Sequence, residues 1–189
     1  MRISHLPNII TELHQLLINR PELSAEIDKH LGVQIEVKRQ IDQLFDKLQE
    51  DQKQIDQLET SSKEAVQQSR QLAKDLREAS EKIEKLFEVF GGSDLQTSQL
   101  PKISGPSNSK LQFQNFLSQV TPHQTEIQNW GGGELFNQLT VGLKQYSELR
   151  QQILEKEKGL LEESEELNKL LQGSEVKVLM IRDLVKRVG

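Results

Sequence analysis

From Ile41 to Phe90 the sequence repeats every seven residues without a skip, and no Gly or Pro falls between Val33 and Phe90. With Ile41 as a and Leu44 as d, twelve of the fifteen a and d positions are apolar, the exceptions being Asp51, Ser62 and Ser69. A strict seven-residue stripe stays on one side of a helix only if the helix is wound to about 3.5 residues per turn, which is the left-handed supercoil of a coiled coil. At about 1.5 Å per residue such a helix is roughly 75 Å long. A stripe two residues wide cannot face water along that length, so the chain must supply or recruit a partner helix.

The same pattern returns after Gly131-Gly132-Gly133. From Phe136 to Val188, twelve of sixteen a and d positions are apolar, with Arg150, Glu157, Ser164 and Ser174 as the exceptions. The cheapest partner for each stripe is the other, because one chain tethers both. The expected fold is therefore all-α, an elongated coiled coil built as an antiparallel helical hairpin. Residues 1–36 read as short N-terminal helices, with Pro7 and Pro21 at helix starts, where a missing N–H costs nothing. Residues 37–90 form the first long heptad helix. Residues 91–109, with Gly91-Gly92, Pro101, Gly105 and Pro106, read as a loop. Residues 110–130 form a short amphipathic helix, kinked or restarted at Thr121-Pro122, and 131–189 form the second long helix.

Aromatic residues sharpen this layout. Phe87, Phe90, Phe113, Phe116, Trp130 and Phe136 cluster in sequence around residues 110–130, as a local three-helix bundle with a wider core requires. The favoured path carries the 110–130 helix outward beyond Phe90, so that the final helix returns first along it and then along the older helix; the alternative folds it back alongside Phe90 and makes the final helix parallel to the first.

Site chemistry is sparse. The chain carries 24 Lys and Arg against 29 Asp and Glu, a net charge of −5, and so lacks the basic balance of a nucleic-acid binder. It has no cysteine, hence no thiolate nucleophile or thiolate metal site. His5, His14, His30 and His123 lack metal-ligand spacing. Glu134 follows the three glycines where a phosphate loop needs Lys, which makes them a turn. The Glu155 to Glu166 run is interrupted by Lys156 and Lys158 and reads as a solvated face. No catalytic residue, cofactor, metal or small-molecule substrate is expected. The start, Met1 to Pro7, lacks the apolar stretch of a secretory leader, so the expected location is cytoplasmic.

Two sets of residues remain as candidates. Asp51, Arg150 and Glu157 place charge on the seam, where they either reach its edge or set the register by pairing across it. Val178, Ile181, Leu184, Val185 and Val188, within a segment that also holds Val176, Leu179 and Met180, supply more apolar surface than one seam buries. A partner helix, the folded-back N-terminal helix or a membrane surface are the possible covers. The expected partners are other helical subunits, with a membrane disfavoured because the polar face is not consistently basic. The rival reading, a membrane-shaping helical dimer, meets the same objection from the acidic balance.

Lys82-Ile83-Glu84-Lys85-Leu86, the loop ending at Pro101, Ser109-Lys110-Leu111-Gln112-Phe113 and Lys158-Gly159-Leu160-Leu161-Glu162-Glu163 together resemble the small shoulder subunit of dynactin. Phe136-Asn137-Gln138-Leu139 with Gly142 and Tyr146 is more distantly similar to the V-shaped helical domain of ALIX-type endosomal adaptors. The first resemblance implies a structural coiled-coil subunit, cytoskeleton-associated, that helps link dynein to cargo. The second implies a sorting adaptor, and the residue pattern itself is equally suited to a tethering or kinetochore complex.

Overall fold

Each apolar stripe forms a helix, and each helix stops where a glycine or proline ends its hydrogen-bond ladder. The computed structural model describes residues 3–91 and 109–189, and among them there is no strand. A short turn at Ile3–His5 leads into α1 (Leu6–Asn19), followed by α2 (Glu22–Leu31), α3 (Val37–Phe90), α4 (Ser109–Val120), α5 (Gln124–Asn129) and α6 (Gly133–Val188). The segment 91–109 read as a loop lies outside the described residues, except for Gly91 and Ser109. The chain divides into two compact units, one of Met1–Thr60 with Glu157–Gly189 and one of Ser61–Lys156. Both long helices contribute to both, so the sequence divisions at 37, 91 and 131 mark elements rather than these units.

In the unit Ser61–Lys156, α3 and α6 run antiparallel. Gly132 lies against Leu86, Gly142 against Leu76, and Lys156 Nζ is 3.5 Å from the Ser61 carbonyl. A Cβ at Gly132 would overlap the Leu86 side chain and come within 2.9 Å of Ile127 Cγ2, so this glycine is fixed by close approach. Helices α4 and α5 supply Phe113, Phe116, Val120 and Ile127, all fully buried, to a core shared with Leu76, Ile83, Phe87, Leu139 and Tyr146. The Phe113 and Tyr146 rings meet edge to face at 5.9 Å, and Phe87 meets Trp130 likewise at 5.3 Å.

These contacts correct the expected path. Phe113, near the start of α4, sits beside Tyr146, whereas Ile127 and Trp130 sit beside Leu86, Phe87 and Phe90. Helix α4 therefore lies alongside α3 and α6 within the bundle instead of extending outward past Phe90. The hairpin stays antiparallel because Gly131, at φ +86°, and Gly132 reverse the chain at the level of Leu86. At Thr121-Pro122 the helix restarts: Thr121–His123 form a single tight turn, the Thr121 hydroxyl donates to the Leu117 carbonyl at 2.6 Å, and α5 begins at Gln124. A third helix also widens the buried face of α3. Ala73, Ser80 and Phe87, next to the a/d stripe, become buried while Phe90 is left exposed. Ser80 stays satisfied by donating to the Leu76 carbonyl at 2.8 Å.

In the unit Met1–Thr60 with Glu157–Gly189, Leu58 packs on Gly159, again with α3 and α6 antiparallel. The core is aliphatic. Leu6, Ile10, Leu13 and Leu17 of α1 and Leu23 and Ile27 of α2 close over Ile41 and Leu48 of α3 and Leu171, Val178, Ile181 and Val185 of α6. Gly32, at φ +70°, ends α2. Asp28 Oδ1 then accepts from the Ile35 N–H (2.8 Å) and the Glu36 N–H (3.2 Å), and the Ser24 hydroxyl accepts from the Lys38 N–H (3.2 Å). Side-chain oxygens thus satisfy backbone donors where the chain enters α3.

Candidate partner-binding surfaces

The C-terminal face nominated for partners is occupied by the chain itself. Val178, Ile181 and Val185 are buried, and Leu184 and Val188 are half-buried against the same cluster, which α1 and α2 complete. This is a correction to their assignment as an open docking face. The folded-back N-terminal helices take the position, and Gly189 at the end of α6 approaches Leu23 and Arg20. Fully covering a Val, Leu or Ile side chain is worth about 1.5–3 kcal/mol, which favours docking of the N-terminal helices over leaving this face in water.

Polar contacts hold α1 in place. The His14 ring stacks on Phe45 with centroids 3.8 Å apart and planes 7° from parallel. Its Nδ1 lies 3.0 Å from Asp42 Oδ1, and Lys38 Nζ lies 2.8 Å from Asp42 Oδ2. The hydrogen bond from Lys38, with lesser help from His14, holds the Asp42 carboxyl below the ordinary carboxylate range.

The three charged seam residues separate. Arg150 and Glu157 are exposed, while Leu149 and Lys156, each one position earlier, are half-buried. The packed side of α6 is rotated there by one residue, which carries both charges to the edge. Asp51 is half-buried. Its charge, with those of Glu166 and Glu162, adds to burial in raising the Glu163 pKa. Among the described residues none of Asp51, Arg150 and Glu157 enters an ion pair, so register selection by a cross-seam pair is not how this hairpin aligns. Glycines face leucines of α3 at Gly132, Gly142 and Gly159.

Two surfaces among the described residues bear on partners. In the unit Ser61–Lys156, a groove of about 440 Å³ runs between α3 and α6. Its lining includes Leu72, Leu76, Ala79, Leu135, Val141 and Gly142, with Asp75 and Glu78 among its charged neighbours. Gly142 fits only as glycine-sized, since a Cβ would lie 2.6 Å from Leu76 Cδ2. Leu135, Val141 and Gly142 are off the heptad, and a search confined to a and d positions passes over them. In the other unit, Val176 and Met180 stay 71% and 61% exposed on the outer side of α6.

Among the described residues no group of three or more His, Asp or Glu side chains is arranged to hold a metal. No described helix is long and apolar enough to cross a membrane. Comparison with family models, curated proteins and solved structures finds no match. The functional reading therefore starts from the surfaces.

Proposed function

We propose that this protein is a non-catalytic coiled-coil structural subunit of a multiprotein assembly, and that it engages other helical subunits through surfaces outside its heptad stripes. The observation that carries this reading is the groove between α3 and α6, where the off-heptad Leu135 and Val141 stand among Glu78, Lys82, Gln138 and Gln145 beside an already complete aromatic core. A trough of that kind on a pair of helices is the seat of a further amphipathic helix. The resemblance to the small shoulder subunit of dynactin supports the finer reading, a cytoplasmic, cytoskeleton-associated subunit supporting dynein-based transport.

The alternative is an endosomal-sorting, tethering or kinetochore adaptor. The residues similar to ALIX-type domains favour packing over binding, since Phe136, Leu139 and Tyr146 are buried. The test is recovery of the endogenous assembly with the tagged chain, followed by identification of its members and repetition with Val141→Glu plus Gln145→Glu, both at exposed positions of the groove. The expected outcome is loss of helical partners with an unchanged helical circular dichroism spectrum. Undiminished partner recovery by a folded variant would remove the groove from the interface.

A further inference from the structure

Helix α6 carries a second three-four repeat on its outer side. Opposite the buried Leu171, Val178, Ile181 and Val185, the exposed residues Glu166, Lys169, Gly173, Val176, Met180, Asp183 and Arg187 follow one another at alternating steps of three and four. Such a series lies along one face of a helix over about 30 Å. It is a seam in spacing, apolar at its centre and charged at both ends, and among the described residues nothing covers it.

We propose that this seam pairs with the same seam of a second copy, antiparallel, about a two-fold axis at Val176. The pattern is self-complementary in that one arrangement. Glu166 then stands opposite Arg187 of the other copy, Lys169 beside Asp183, and Met180 over Gly173, while the two Val176 side chains meet at the axis. Because the contact is isologous, every pair off the axis occurs twice. A parallel pairing sets Lys169 on Lys169, Asp183 on Asp183 and Met180 on Met180, so it stacks like charges and leaves the glycines facing each other.

Three features of the chain support this occupant. Gly173 weakens the helix relative to Ala, yet among the described residues nothing beyond its own turn of helix lies within 4 Å of where its Cβ would be, so internal packing there does not call for it. A recess for Met180 does. Lys169, Asp183 and Arg187 enter no ion pair within the chain among the described residues. Glu166 is left among other carboxylates, and its charge helps to raise the Glu163 pKa. Arg187 of a second copy supplies the missing cation.

This deepens the assembly reading by naming one partner as another copy of the chain, and its test is separable from that of the groove. The mass of the full chain in solution, followed by sedimentation equilibrium, is expected to show a reversible dimer that weakens as salt is raised. Arg187→Glu alone and Glu166→Arg alone are each expected to weaken dimerisation about tenfold or more, and the two together to restore it. Val176→Cys, in a chain otherwise without thiols, is expected to cross-link two copies on oxidation. A wild-type chain that stays monomeric through the micromolar range, or a dimer indifferent to all three charge variants, overturns the proposal. Either result leaves partner recovery by the Val141 and Gln145 groove standing on its own evidence.

Discussion

The unit Ser61–Lys156 closes its two stripes with aromatic rings, whereas the unit Met1–Thr60 with Glu157–Gly189 closes them with Leu, Ile and Val from two short helices. In the first, Phe113 and Phe116 reach across a three-helix core and force α3 to bury Ala73, Ser80 and Phe87 beside the a/d stripe. In the second, smaller side chains from α1 and α2 cover a stripe that keeps its a/d character at Ile41, Leu48, Val178, Ile181 and Val185. A heptad records that a helix has a packed side. It does not record whether one helix or two will pack there, and side-chain size decides that.

The most damaging change to this contrast is loss of a ring. Phe113→Ala is expected to cost about 3–5 kcal/mol, read as a lowered unfolding transition of Trp130, the only tryptophan and a neighbour of Phe87 and Phe90. Leu17→Ala is expected to cost about 2–5 kcal/mol in the aliphatic unit, read as faster hydrogen exchange in α1 and the end of α6. The two units are distinct in energy as well as in composition if Leu17→Ala leaves the Trp130 transition in place. A matching shift there would make them one cooperative body.

A smaller effect is expected at the chain reversal. Gly132→Ala forces Leu86 or Ile127 aside and is expected to cost about 1–3 kcal/mol, again read at Trp130. An unchanged midpoint would mean that the close approach at Leu86 is not needed to hold α6 antiparallel.

Two carboxylates sharpen the comparison through pH, with opposite signs. The Asp42 pKa is held below the ordinary aspartate value of 3.8 by the hydrogen bond from Lys38, so the stability it supplies is present above that value and is lost as pH falls through the folded pKa. Asp42→Asn is expected to flatten this acid limb in the aliphatic unit and leave the Trp130 signal unaffected. The Glu163 pKa is raised from 4.5, chiefly by burial and then by Glu166 and Asp51. Its folded form therefore favours the proton, and ionisation at neutral pH works against folding. Glu163→Gln is expected to stabilise the aliphatic unit at pH 7, with the gain vanishing as pH falls below the raised pKa; a loss of stability at pH 7 would reverse that assignment. The smallest effect belongs to Gly173→Ala, expected to stabilise α6 by up to about 1 kcal/mol in the monomer while weakening the self-paired form.

Both stripes, the antiparallel pairing and the aromatic end were legible because periodicity and residue size act locally. The position of α4 was not, since sequence order alone leaves open whether the 110–130 segment extends the hairpin or lies beside it, and only the Phe113 and Tyr146 contact decides. The C-terminal face was legible as apolar surplus. Its cover was one of three alternatives, and α1 and α2 provide it. Arg150 and Glu157 reach the edge, the first of the two readings the sequence offered for them, because a one-residue rotation of α6 lets Leu149 and Lys156 take their places. The outer seam from Glu166 to Arg187 was readable in principle from its three-four spacing, but two large apolar residues among charged ones give a weak signal until their exposure is known.

The central claim is that the heptad stripes are satisfied within the chain and that partners meet the faces outside them. Single cysteines at Val185, on the stripe, and at Val176, on the outer seam, test it most directly by thiol labelling of the folded monomer in dilute solution. Val176→Cys is expected to label as fast as an unstructured thiol and Val185→Cys far more slowly, only as α1 and α2 open. Equal labelling rates would show that the N-terminal helices do not cover α6 and that the stripe itself awaits a partner.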